Sequence, residues 1–238
     1  MTFQDELVAR TIAEWVRFGR DEGESAKTVT VGNADVPKEA ALPFSDRIAD
    51  YWLSIPSSQY DRLVKEFAPQ KGRLDGTVRD LPWSAAFISF LMQSAGAGET
   101  FPYSAAHATW IVRGIRNRRA NRLTAPLVCF RPGERPVLPG DLVGFFSDRG
   151  VDYDNAPEVL AARKSFRSHT DIVTEVDLAA GTAFAVGGNV GNSVSRVRVA
   201  LDGAGRIAGG RWAFHIRNGI VAGQTVKAPA AQPEAVVG

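Results

Sequence analysis

Ser84, His169 and Asp171 carry a hydroxyl, an imidazole and a carboxylate, residue types that nucleophilic catalysis uses. Ser84 stands near the start of LPWSAAFISFLMQS, residues 81–94. Pro82 sets φ just ahead of a run that is apolar at Ala85, Ile88, Leu91 and Met92, and Gly96 is placed to end it. The spacing predicts a largely buried helix with Ser84 in its first turn. Unpaired N–H groups and the positive end of the helix dipole favour negative charge there, so a nucleophile or an oxyanion would be stabilised. The same position also suits an N-cap, a preferred role of serine. His169 and Asp171 lie two residues apart in SHTDIV, so on a strand they share a face and the carboxylate would favour an imidazolium. A solvent-facing Asp171 is the other reading.

The remaining reactive groups are few. Cys129, the single cysteine, lies in PLVCF and reads as a buried strand residue, and no internal disulfide can form. Three scattered histidines without HExxH or CxxC spacing give no metal site, and no cofactor is implied. GGNVG is not GxGxxG, and the residues after it are strand-like where a phosphate-binding helix would be needed. His215, in WAFHIR, reads as a strand residue without a catalytic part.

These groups need a scaffold. Helical spacing appears over residues 6–18, 46–52 and 58–67, with Ser45 or Asp46 and Ser57 or Ser58 as caps for the last two. A polar, glycine-containing loop over 19–41 separates the first helix from the others. A fifth helix begins near Ser104 and passes through His107 and Trp110 into an arginine-rich end. After Asn121 the texture becomes period-two and apolar: APLVCF, DLVGFF, TDIVTEV, TAFAVGG, SVSRVRVAL and RWAFHIR read as five or six strands. Helices first and strands second predict an α+β fold with a central antiparallel sheet. The connection from Phe146 to Ser168 is long enough for a lid or binding edge, with Asp152, Tyr153 and Asp154 in it. Residues 221–238, rich in Ala, Pro and Val, read as a flexible tail.

Four pieces in order, PWSAAF at 82–87, PGDLVGF at 139–145, SHTDIV at 168–173 and VGGNVGNSVS at 186–195, resemble the NlpC/P60 and CHAP branch of the papain-like superfamily. They resemble the uncharacterised bacterial family DUF2272 above all. The resemblance implies a papain-like domain over about 46–220, preceded by a helix and loop over 1–45. It implies Ser84 at the position of the nucleophilic cysteine, His169 as general base and Asn189 orienting the imidazole, with Asp171 competing for that last role. FPYSAAHATW also matches the DUF2272 pattern, which would place His107 in the cleft beside Ser84; a helical His satisfied locally is the alternative. Trp83, His107 and Tyr153 are the candidate substrate-binding residues.

Serine departs from the thiolate of those enzymes. Its hydroxyl must lose a proton to the base during attack, which requires a hydrogen bond and an oxyanion hole. The glutamine that papain-like proteases use for the latter is missing, since position 78 is Val. The resemblance implies an amide hydrolase acting on bacterial cell-wall peptidoglycan. The competing expectation is a non-catalytic binder of wall peptide or glycan.

At 238 residues and net charge +2, with 45% hydrophobic residues, the chain can bury a real core, and it is neither fibrous nor disordered. An anionic partner is permitted but not demanded. Arg113, Arg116, Arg118, Arg119 and Arg122 would meet an anionic polymer or form a solvated helix end. A nucleic-acid module ranks last, because no aromatic stacking motif accompanies them. No standard secretory signal or membrane span is read in these residues, which leaves three alternatives open: work in the cytoplasm, export by a signal-independent route, or a chain without its leader. Delivery as a toxin would add a protein inhibitor as partner.

Overall fold

The computed structural model describes residues 1–223, and most of the segment expected to be a tail lies outside the described residues. Helix α1 (Phe3–Arg17) opens with a capping box: Thr2 Oγ1 accepts the Asp5 N–H at 3.1 Å and Asp5 Oδ2 accepts the Thr2 N–H at 2.8 Å. The stretch expected as a loop contains a two-residue strand, β1 (Asp21–Glu22), and a hairpin, β2 (Thr28–Val31) with β3 (Ala34–Pro37). Then come α2 (Phe44–Trp52), α3 (Ser57–Phe67), α4 (Ser84–Ser94) and α5 (Ala108–Arg119). The proposed serine caps are not used: prolines 43 and 56 hold the N-cap positions of α2 and α3, and no side chain caps either helix.

The six expected strands are β4 (Leu127–Phe130), β5 (Leu142–Phe146), β6 (Ser168–Asp177), β7 (Thr182–Gly187), β8 (Ser195–Ala200) and β9 (Phe214–Asn218). The sheet is larger than expected and mixed. It has seven strands in the order β1-β8-β7-β6-β5-β9-β4, antiparallel throughout except that β1 joins β8 in parallel. Two residues carry no period-two signal, so pairing with β8 alone makes β1 a strand. The long connection after β5 contains a helix, α6 (Ala156–Arg163).

Alternate residues of the strands feed two cores. Leu142, Ile172 and Val186 face a helical layer with Trp52, Phe87, Ile88 and Trp110, while Val143, Val173, Val197 and Val199 form a second core on the opposite face. Phe3, Leu7 and Phe18 belong to the helical core, so the first residues are packed into the same body. Glu14 ties α1 to α2, accepting from Tyr51 Oη at 2.6 Å and from Arg47 at 2.5 and 3.0 Å. Gly114 lets α5 close on β4, since a Cβ there would sit 3.0 Å from Cys129 Cβ.

The PGD turn anchors the sheet. Asp141 accepts from Leu138 N–H at 3.0 Å and Asn218 N–H at 2.9 Å, and its Oδ2 lies 2.8 Å from His215 Nε2. His215 is thus a buried pairing residue between β9 and β5.

Candidate active site

Helix α4 enters the core with no side-chain cap. Trp83 is its N-cap, and the first backbone bond runs from Phe87 N–H to Trp83 O at 3.0 Å. The N–H groups of Ser84, Ala85 and Ala86 therefore have no backbone acceptor among the described residues. Eight of its residues are buried, which fixes the helix and so the start of its first turn. Its end is a Schellman motif: Gly96, at φ 87°, donates to Gln93 O at 3.0 Å, and Ala97 donates to Met92 O at 3.0 Å.

Ser84 does not cap. Its Oγ lies 2.8 Å from His107 Nε2, and His107 Nδ1 lies 2.8 Å from Thr170 Oγ1. Trp110 Nε1–H donates to the same Thr170 oxygen at 3.2 Å. His107 is the N-cap residue of α5, which starts later than its apolar spacing suggests because residues 104–107 form a hydrogen-bonded turn around Ser104 Oγ. Burial, with His169 nearby adding to it, holds the His107 pKa well below the ordinary histidine value, so the ring is a neutral imidazole.

His169 lies on β6, its ring centroid 5.2 Å from that of His107. Its Nε2 is 2.6 Å from Asp171 Oδ1, the two sharing one face of the strand. Asp171 is fully buried, and its second oxygen has no hydrogen-bond partner among the described residues. Gly187, at the end of β7, makes room for this pair: a Cβ there would overlap Asp171 Oδ1 and come within 2.9 Å of His169 Nε2. Gly188 does the same for α4, because its Cβ would lie 2.6 Å from Phe87 Cβ and 2.7 Å from the Trp83 ring. Both contacts lie in the GGN segment and explain its paired glycines.

Ser84, His107, His169 and Asn189 line one cavity of about 540 Å³. The motif order placed His169 on Ser84; the hydrogen-bond partner of Oγ is instead His107, because the start of α5 sets that ring between the serine and Thr170 of β6. Asn189, at φ 58°, sits in the turn after β7, and Asp171 rather than Asn189 holds the His169 ring.

Trp83 lies beneath the site rather than in this cavity. It is buried against Tyr51, with centroids 5.8 Å apart, and its Nε1–H donates to Glu39 Oε2 at 2.8 Å. It lines a smaller neighbouring cavity of about 270 Å³ together with Asn189. Tyr153 is not brought to the cleft: its hydroxyl donates to Cys129 O at 2.6 Å and Arg131 covers its ring, so it braces β4. Cys129 is buried, and burial pushes its thiol pKa up, which makes it inert.

The arginine cluster is divided. Arg118 pairs with Glu134 at 3.7 Å and Arg119 with Glu158 at 2.8 Å. Arg113, Arg116 and Arg122 line a separate cavity of about 690 Å³ with Lys164, and among the described residues no acidic one lines it.

Thr170, Trp110 and Gly187 complete the site and carried no signal as site residues. Thr170 comes directly after His169 and could have been suspected only as its strand neighbour, pointing to the other face.

A mixed α+β body thus presents a serine at a helix N-terminus, a neutral imidazole bonded to it, and an adjoining His–Asp pair, all at one cavity. Residues 40–226 match DUF2272, described as an uncharacterised protein conserved in bacteria, and the chain belongs to that family. No curated protein and no solved structure matches it. Among the described residues, no helix is long and apolar enough to cross a membrane.

Proposed function

We propose that the protein is a serine hydrolase of amide bonds, with Ser84 as nucleophile and His107 as its general base. The 2.8 Å contact between Ser84 Oγ and a buried, neutral imidazole carries this reading. When Thr170 Oγ1 accepts from both Trp110 Nε1–H and His107 Nδ1–H, His107 Nε2 is left bare toward Ser84. Oγ attacks the carbonyl carbon as its proton moves to Nε2. The oxyanion meets the free N–H groups at the start of α4. Collapse breaks the C–N bond, and the amine leaves with the proton from Nε2. Water then attacks the ester, gives a proton to Nε2, and Oγ takes it back on leaving.

His169, oriented by Asp171, is the second imidazole at the cavity wall and positions the leaving nitrogen. Wall peptide as the substrate class rests on the order of the four motifs and their likeness to NlpC/P60 and CHAP enzymes, in which His169 itself would be the base. Mass spectrometry of purified peptidoglycan after incubation with the protein tests the proposal. New fragments made by the wild type and not by Ser84→Ala are expected. Retention of the protein on the wall without any fragment would leave a binding protein in its place.

A further inference from the structure

The wall of the active-site cavity continues beyond the two histidines as a row of flat groups. His107 and His169 have centroids 5.2 Å apart, Phe145 comes next at 5.5 Å from His169, and the Arg211 guanidinium lies 4.1 Å from the Phe145 centroid. Arg211 is carried by a segment anchored beside it. Its neighbour Trp212 is buried edge-on to Phe145, and Ala213 N–H donates to Gly144 O at 2.8 Å, locking the segment to β5. A guanidinium stacked on a ring keeps its N–H edge available for a planar anion.

One carboxylate already occupies that edge. Glu24 Oε1 lies 2.6 Å from Arg211 Nη1, and both side chains line the cavity. Glu24 comes from the segment after β1, pinned by Gly23 N–H to Arg196 O at 2.9 Å and Lys27 N–H to Gly191 O at 2.7 Å. Its side chain is 55% exposed, so it is a displaceable partner. Arg167, the other cavity arginine, is committed outward, its Nε bonded to Asp148 at 2.7 Å with the side chain 83% exposed.

We propose that Arg211 is a specificity residue that binds a free carboxylate of the substrate, so that the preferred substrates are acidic peptides. The row of rings sets the reach: the carboxylate lies no more than roughly six residues of extended chain from the bond at Ser84. Glu24 holds the guanidinium until substrate arrives and yields it on binding. This inference rests on the hydrolase reading for its location in the substrate path, but it has a test of its own.

The probes are peptides released from purified peptidoglycan and the same pool with its carboxylates amidated by carbodiimide and ammonia. The wild type should cleave the acidic pool about 10- to 100-fold faster, the range for losing one charged hydrogen-bond partner. Arg211→Gln should bring the ratio near one, and Arg211→Lys should restore part of it. Because each ratio is taken within one protein, partial misfolding of a variant cancels. Equal cleavage of both pools by the wild type, or an unchanged ratio in Arg211→Gln, overturns the assignment and leaves the hydrolase standing. If the wild type cleaves neither pool, the hydrolase reading falls, and equilibrium binding of the two pools to Ser84→Ala protein with and without Arg211→Gln decides Arg211 alone. An Arg211-dependent preference for the acidic pool supports it; no preference, or no binding, overturns it.

Discussion

His107 and His169 face one another with ring centroids 5.2 Å apart, yet each ring is held by a different group: His107 by Ser84 and Thr170, His169 by Asp171. Burial first, and the neighbouring His169 second, disfavour a charged His107. The carboxylate lies beside His169 and the hydroxyl beside His107, which separates the roles of the rings and makes them distinguishable by substitution.

His107→Ala should lower kcat by about 10²- to 10⁴-fold, the usual worth of a positioned base. Asp171→Asn, which keeps the shape but not the charge, should cost less, and Asn189→Ala less still, since Asn189 holds neither ring. Single-turnover rates on one amide substrate check the order. A larger loss in Asn189→Ala than in Asp171→Asn would contradict the orientation of His169 by Asp171.

Ser84→Ala should abolish turnover with a stability loss of about 1–3 kcal/mol, from leaving a buried imidazole nitrogen without its partner rather than from a lost cap. Urea denaturation separates these from global unfolding. Ser84→Cys adds a sharper test: at a helix N-terminus a thiol pKa falls, so thiol alkylation should be faster than that of Cys129 at neutral pH. Alkylation no faster than at Cys129 would argue that α4 presents no activated position.

Gly187→Ala should dismantle the His169–Asp171 pair without touching either residue. The added methyl must displace the carboxylate or the β7 backbone, at a cost of about 1–3 kcal/mol for overpacking. Activity should fall at least as far as in Asp171→Asn, while Gly203→Ala, where a Cβ meets nothing within 4 Å, is the silent control.

Acidification should destabilise the protein through His107. Its pKa in the fold lies below the ordinary value of 6.5, so below that pH the unfolded chain binds a proton that the folded chain refuses. Stability is therefore full above about pH 6.5 and declines from there toward the folded pKa, by up to about 1.4 kcal/mol per pH unit. The groups facing the ring, Ser84 and Thr170 by hydrogen bond and His169 across 5.2 Å, include no carboxylate in direct contact that would reverse the sign. Chemical denaturation of wild type and His107→Gln between pH 7.5 and 5 should show the wild-type curve falling more steeply.

Polyanion binding should track the division of the arginines. Replacing Arg113, Arg116 and Arg122 by Ala should lower the salt needed to elute the protein from a heparin column, whereas replacing Arg118 and Arg119, already paired with Glu134 and Glu158, should do so less. The reverse order would assign the surface to the other edge of α5.

The amino-acid sequence by itself determined the elements whose signal is local. The apolar spacing of 85–92 with Gly96 beyond it specified α4 and its end, and period-two and apolar runs specified five or six strands, because both patterns are set by the chain's own geometry. The shared face of His169 and Asp171 was legible for the same reason. Only the tertiary structure decided which histidine meets Ser84. That choice depends on where the start of α5 sets His107, between Ser84 of α4 and Thr170 of β6, and no spacing along the chain encodes the distance between two helices and a strand far apart in sequence. β1 was invisible because two residues have no period, and it exists only where β8 offers an edge to pair with. Tyr153 looked available because its loop is long, but its side chain is drawn to a carbonyl of β4. Arg211 reached the cavity through a turn without regular structure, held there by Trp212 and Ala213 against β5, an arrangement made by packing alone.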